Sequence, residues 1–274
     1  MRAVLSHSLA TVEELNRGGN KTDDSLYDSF ARYEDTHWWF VARRHIILRV
    51  LKKCCAPGSH SIVLDAGCGT GGMLRHLAQF GQVHGVDSSE EKALGYARDR
   101  NPEAILSPGS LEALPYDDAS FDLVTCLDVL EHIPNDFMAL SEIWRVLRNE
   151  GNLVVTVPAY PWLWSRHDVL NHHHRRYVRK RLKQMLESTG FTVRYISYFN
   201  TLLFPVAMVQ RLISRLLVRL GNIIPVGFRS PLAEALSPWN TLLLRIFLFE
   251  EVWLPRVTIP FGLSVICVAH KPRK

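Results

Sequence analysis

Apolar and polar positions along the chain follow two periods. Ile62 to Leu64 is a short apolar run that ends in an acid, Asp65. A glycine-dense turn follows, with Gly67, Gly69, Gly71 and Gly72, and then a helical pattern from Met73 to Phe80. This order predicts strand, tight turn, helix. Gln82 to Asp87 is a second run closed by an acid, and Ala104 to Ser107 is a third. Ser120 to His132 supplies a fourth strand with its exit loop. Leu147 to Pro158 reads as a helix end, a turn and a fifth strand. A helix is expected over Arg179 to Ser188, a strand near Phe191 to Tyr198, and a closing strand within Pro260 to His270.

Three stretches depart from this alternation. Tyr33, His37 and Phe40 share helical spacing, as do Phe40, Arg44 and Ile47. That predicts an amphipathic helix anchored by Trp38 and Trp39, or a lid of aromatics over a pocket. From Leu202 to Leu220, Arg211, Arg215 and Arg219 fall on one helix face and Leu212, Leu216, Leu217 and Leu220 on the other. Trp239 to Phe249 is a second apolar helix candidate. The run before Gln210 is shorter than the roughly 20 residues a bilayer span needs. Both helices could lie in a membrane interface, or be buried in a dimer or a hydrophobic tunnel. Between these zones, His167, His172, His173 and His174 crowd with Arg166, Arg175 and Arg176.

The chemistry starts at the glycine turn. Glycines at these points allow positive φ and close approach of a ligand to the backbone. An acid ending the second strand, Asp87, is placed to accept hydrogen bonds from two ribose hydroxyls. The glycine spacing, with an acid two residues ahead of Gly67, differs from the usual dinucleotide fingerprint.

Taken in order, these residues resemble the class I S-adenosylmethionine (SAM)-dependent methyltransferases, in the broad group that includes ubiquinone-type O-methyltransferases. The likeness runs from about Ile62 to Pro158 and includes Leu114 to Asp122 and Asp128 to His132. It implies an α/β fold: a Rossmann-like, doubly wound, seven-stranded and mostly parallel sheet, with a helical cap and apolar C-terminal helices. It implies that Gly67, Cys68, Gly69 and Gly71 meet the methionine moiety of SAM, with Asp65 orienting the loop toward its ammonium. Asp87 and Ser88 would meet the ribose, Ser110 and Leu111 the adenine, and Leu127, Asp128 and Val129 the methyl side. His132 and His167 are the candidate bases, since an ordinary imidazole is mostly neutral at pH 7.

His172, Arg175, Arg176 and Tyr177 are the substrate candidates, because paired arginines bind phosphate as bidentate forks. A solvated loop is the plainer reading of the same patch. A metal held by Asp128, Glu131, His132 and a later histidine is a minor alternative, and no metal is expected.

The 274 residues suffice for one full core, and 47% hydrophobic content excludes a disordered chain. The division expected is a mobile start (1–24), a helical lid (25–58), a SAM-binding core (59–160) and a cap with apolar and basic helices (161–274). Five cysteines without regular spacing predict no disulfide framework. No signal segment is evident, so the expected location is cytoplasmic, peripheral on the inner membrane face of a bacterium. A net charge of +5 suits an anionic acceptor or membrane surface and is too mild to argue for nucleic acid. The expected acceptor is a small or lipid-linked molecule, saccharide- or phosphate-bearing. A quinone or polyprenyl-phenol acceptor, a non-catalytic SAM-binding scaffold, RNA methylation and a homodimer stay open beside it.

Overall fold

The apolar runs pair into one sheet. The computed structural model describes residues 27–219 and 239–273. Its strands are β1 (Ser61–Ala66), β2 (Gly81–Asp87), β3 (Ile105–Pro108), β4 (Phe121–Leu127), β5 (Leu147–Pro158), β6 (Thr192–Phe199) and β7 (Ser264–His270). Their order is β3-β2-β1-β4-β5-β7-β6. β1 to β5 pair in parallel, and β7 inserts antiparallel between β5 and β6. This is the doubly wound, mostly parallel, seven-stranded α/β sheet that the sequence predicts. From β1 the chain steps outward through β2 and β3, then returns to β4 on the other side. The carboxyl ends of β1 and β4 flank that reversal, where open α/β sheets place their ligands.

Side chains alternate between two cores. Leu64, Ala66, Val86, Val124 and Val155 face one, and Val63, Val83, Leu123, Val154 and Ile266 face the other. α1 (Trp38–Val50) covers the second face through Ala42, Ile46, Ile47 and Val50. α2 (Leu74–Leu77), α3 (Ala93–Arg100) and α4 (Asp136–Val146) connect the parallel strands, and α5 (Arg166–Leu170) follows β5. α6 (Arg179–Ser188) buries Leu182 and Leu186 on the first face. α7 (Phe204–Arg219) and α8 (Trp239–Leu248) lie between β6 and β7 in the chain. α8 closes the start of α1: Asn240 Oδ1 accepts from Trp38 N at 2.8 Å, and its Nδ2 donates to Thr36 O at 3.0 Å.

Two local expectations change. The helix after the glycine turn is only α2 plus a 3-10 turn, Ala78–Phe80, stopped by Gly81 at φ 134. Leu147 opens β5 instead of ending a helix, because it is fully buried and registers against Phe121 of β4. The expected mobile start at 1–24 lies outside the described residues. So do Leu220 and the side chains of Arg166, Leu212, Arg215, Leu216, Leu217 and Arg219.

Candidate functional site

The turn after β1 is shaped by what each missing side chain permits. Gly67 has φ +81, and a Cβ there would fall 2.5 Å from Val129 Cγ2. Gly71, at φ +84, lets the loop close onto Ala97 of α3 and Asn101, which caps that helix. Gly69 differs: its φ is +53, yet nothing lies within 4 Å of a Cβ built there. The backbone at Gly69 is therefore open to a ligand, while its neighbours are locked in packing.

Two carboxylates border this opening. Asp65, at the end of β1, is buried and accepts from Thr125 Oγ1 at 2.6 Å. Desolvation pushes its pKa up to about 7, against the pull of that hydrogen bond. Asp87, at the end of β2, accepts from Gly69 N at 3.0 Å and Ser89 N at 2.9 Å. Burial raises its pKa too, and those backbone donors oppose the rise. Ser88 and Ser110 are exposed, whereas Leu111 is packed in the core beside Leu114, not on an open flank. Leu127, Asp128 and Val129 are half-buried at the end of β4.

The N-terminal segment, helical over 27–33, reaches the site with residues that sequence reasoning missed. Arg43 of α1 pairs with Asp128 at 2.7 Å and donates to Thr156 Oγ1 at 2.7 Å, with its guanidinium over the Trp39 ring. Asp128 sits at φ +55, a costly conformation for a residue with a side chain, and this ion pair helps hold it. Glu34 lies on the glycine loop, accepts from Thr70 Oγ1 at 2.8 Å and pairs with Arg100. The Glu34 carboxylate fills the space that a side chain at Gly72 would need. Arg44 donates to Gly72 O and to Asp35, both at 3.1 Å. The basic pair inside an aromatic helix was the signal for Arg43 and Arg44, but it carried no information about their targets.

The histidine-rich loop is built around Asp168. Its side chain is fully buried and accepts from His173 Nδ1 at 2.9 Å and Arg176 Nε at 2.6 Å. Burial alone would raise its pKa, but these two donors hold the carboxyl well below the usual range. Arg176 also donates to Ala159 O at 3.1 Å. Tyr177 is fully buried, with its hydroxyl donating to Asp136 at 2.9 Å. Arg175 pairs with Asp136 at 2.8 Å and donates to Pro134 O at 2.7 Å. The expected Arg175–Arg176 fork is thus not formed. Adjacent residues of this extended stretch, bridged at Tyr177 to Ala159, turn to opposite sides and meet different acids. Arg176 and Tyr177 belong to the interior, while His172 is exposed.

His132 and His167 both flank His173, with ring centroids 4.7 and 6.2 Å away. Each meets solvent on a crowded rim. Desolvation there holds both imidazoles down at about 4, so both are neutral at pH 7. Glu131, His132 and His173 bring their ligand atoms within 4.8 Å of one another.

The Methyltransferase domain family matches residues 64–155, the stretch from β1 through most of β5. A probable S-adenosylmethionine-dependent methyltransferase of Mycolicibacterium smegmatis is 33% identical over 214 residues, covering 77% of each chain. A demethylmenaquinone methyltransferase of Roseiflexus castenholzii is 32% identical over 139 residues, 49% of this chain and 57% of the relative. A structure of Haemonchus contortus phosphoethanolamine N-methyltransferase 2, with phosphomonomethylethanolamine and S-adenosylhomocysteine, superposes with a TM-score of 0.61 at 18% identity. That match covers 91% of this chain and 58% of the other, and establishes likeness of fold.

Proposed function

This chain belongs to the class I SAM-dependent methyltransferases, and from that premise we propose that it methylates a lipid-linked acceptor at a membrane face. The observation that carries the acceptor class is the outer face of α7. Val206, Val209 and Ile213 fall on one side of it, Leu202 lies in the turn just before it, and all four are exposed. Arg211, on the opposite side of the same helix, donates to Leu163 O at 2.6 Å, which ties α7 to the loop that carries Asp168 and the histidines. An apolar acceptor tail on α7 would thus rest on the helix whose other side packs against the histidine loop.

SAM, when bound, supplies a methyl group on a sulfonium, which leaves as a thioether. In the proposed arrangement the backbone of Gly67, Cys68, Gly69 and Gly71 cradles the amino-acid end. Asp65 faces the ammonium, and Asp87 with Ser88 takes the ribose hydroxyls. Ser110 meets the adenine edge, and Leu111 supports that wall from within the core. Leu127, Asp128 and Val129 line the methyl side, with Arg43 fixing Asp128 from α1. Alignment of nucleophile and methyl is the main contribution asked of this framework, of order 7–11 kcal/mol in ideal cases. His132 or His167, neutral at pH 7, takes the acceptor proton, worth about 10² to 10⁴-fold.

Incubation of the protein with methyl-labelled SAM and a fractionated membrane lipid extract tests the reading. The label should move to an organic-soluble fraction. Label appearing only in water-soluble small molecules would contradict it. The menaquinone-type relative supports a second reading, a prenylated phenol or quinone, which places the label in the phenolic and not the saccharide-bearing lipid fraction.

A further inference from the structure

Among the described residues four acids, Asp128, Glu131, Asp136 and Asp168, lie at the end of β4 and around the histidine loop, and three of them have a cation. Asp128 pairs with Arg43, Asp136 with Arg175, and Asp168 with Arg176. Glu131 does not follow them. It lies on the 3-10 turn Leu130–His132 just after Asp128, is 1% exposed, and its Oε2 has no hydrogen-bond partner among the described residues. An isolated buried carboxylate is costly. Beside it stand two imidazoles set edge to face, His132 and His173, with planes 89° apart. The ligand atoms of all three residues lie within 4.8 Å of one another. The Nδ1 contact to Asp168 at 2.9 Å fixes the His173 ring, and in the tautomer that donates from Nδ1 the Nε2 atom keeps its lone pair. A carboxylate behind a ligating histidine is the usual outer support of a metal site.

We propose that Glu131, His132 and His173 form a site for a divalent first-row transition-metal ion. One carboxylate and two imidazoles suit zinc, iron, cobalt or manganese, not a hard ion such as calcium. Three protein ligands with solvent beside His132 leave coordination positions open. On the methyltransferase reading above, those positions would hold an oxygen of the acceptor, and with His132 bound to the metal His167 is the base that remains. The metal site itself does not depend on that reading.

The test uses the full chain without any acceptor. Co²⁺ is titrated into the metal-free protein and followed by visible absorption, with Zn²⁺ as competitor. About one equivalent should bind, and His173→Ala should weaken binding by about tenfold or more. Glu131→Gln, close in shape, guards against a merely misfolded variant. Its metal-free form should melt close to the wild type, since the amide keeps the volume and shape of the carboxyl. Zn²⁺ should raise the melting temperature of the wild type and leave that of Glu131→Gln unchanged. No stoichiometric Co²⁺ binding by the wild type, or binding by both variants equal to that of the wild type, overturns the site. Loss of lipid methylation with metal binding intact would instead count against the acceptor assignment.

Discussion

Asp65 and Asp87 end neighbouring parallel strands, but their surroundings differ in a way that pH can expose. Asp87 is met by two backbone donors, whereas Asp65 has the Thr125 hydroxyl and deep burial, so its pKa rises to about 7. The sign follows from burial favouring the neutral acid in the folded state. The stability this gives is fully present below the ordinary carboxylate pKa and is lost as pH rises through about 7. A ligand ammonium beside Asp65 would reverse the preference and favour the carboxylate. Calorimetric titration of SAM between about pH 5.5 and pH 7.5 should therefore show affinity rising with pH, by up to about tenfold per unit below the pKa, then levelling. Asp65→Asn should remove the slope. Equal slopes in both proteins would place the ammonium elsewhere.

At the scale of elements, α1 and α7 do work that strands cannot. α1 is a scaffold helix on one face, yet Arg43 and Arg44 project from it to the end of β4 and the glycine loop. The helix that packs on the sheet is thus also the one that reaches the glycine loop. α7 is held by Arg211 and shows solvent an apolar side. Among the described residues no helix is long and apolar enough to cross a membrane, so contact through α7 would be interfacial. Val206→Asp with Ile213→Asp should abolish flotation with anionic liposomes, since each buried aliphatic side chain contributes about 1.5–3 kcal/mol. The melting temperature should hardly move, because both positions are exposed. No flotation of the wild type at low salt would rule out the membrane face.

For the molecule as a whole, the sheet was legible because most of its parallel strands carry a buried apolar run punctuated by turn residues. Gly67 to Gly72, Asp65 and Asp87 were legible with it, being local to those strand ends. The targets of Arg43 and Glu34 were not, since each contact joins residues distant in the chain, Arg43 to Thr156 and Glu34 to Thr70. Likewise the composition of the histidine loop was plain, but not which of Arg175 and Arg176 faces inward. That depends on the bridge from Tyr177 to Ala159. The central claim is that the carboxyl ends of β1, β2 and β4 hold one cofactor through Gly69 and Asp87. Calorimetric titration with S-adenosylhomocysteine tests it most directly. The wild type should bind one equivalent, and Asp87→Ala, still folded by circular dichroism, should lose about a hundredfold in affinity, the worth of one to two charge-assisted hydrogen bonds. Undiminished affinity in a folded Asp87→Ala would contradict the account.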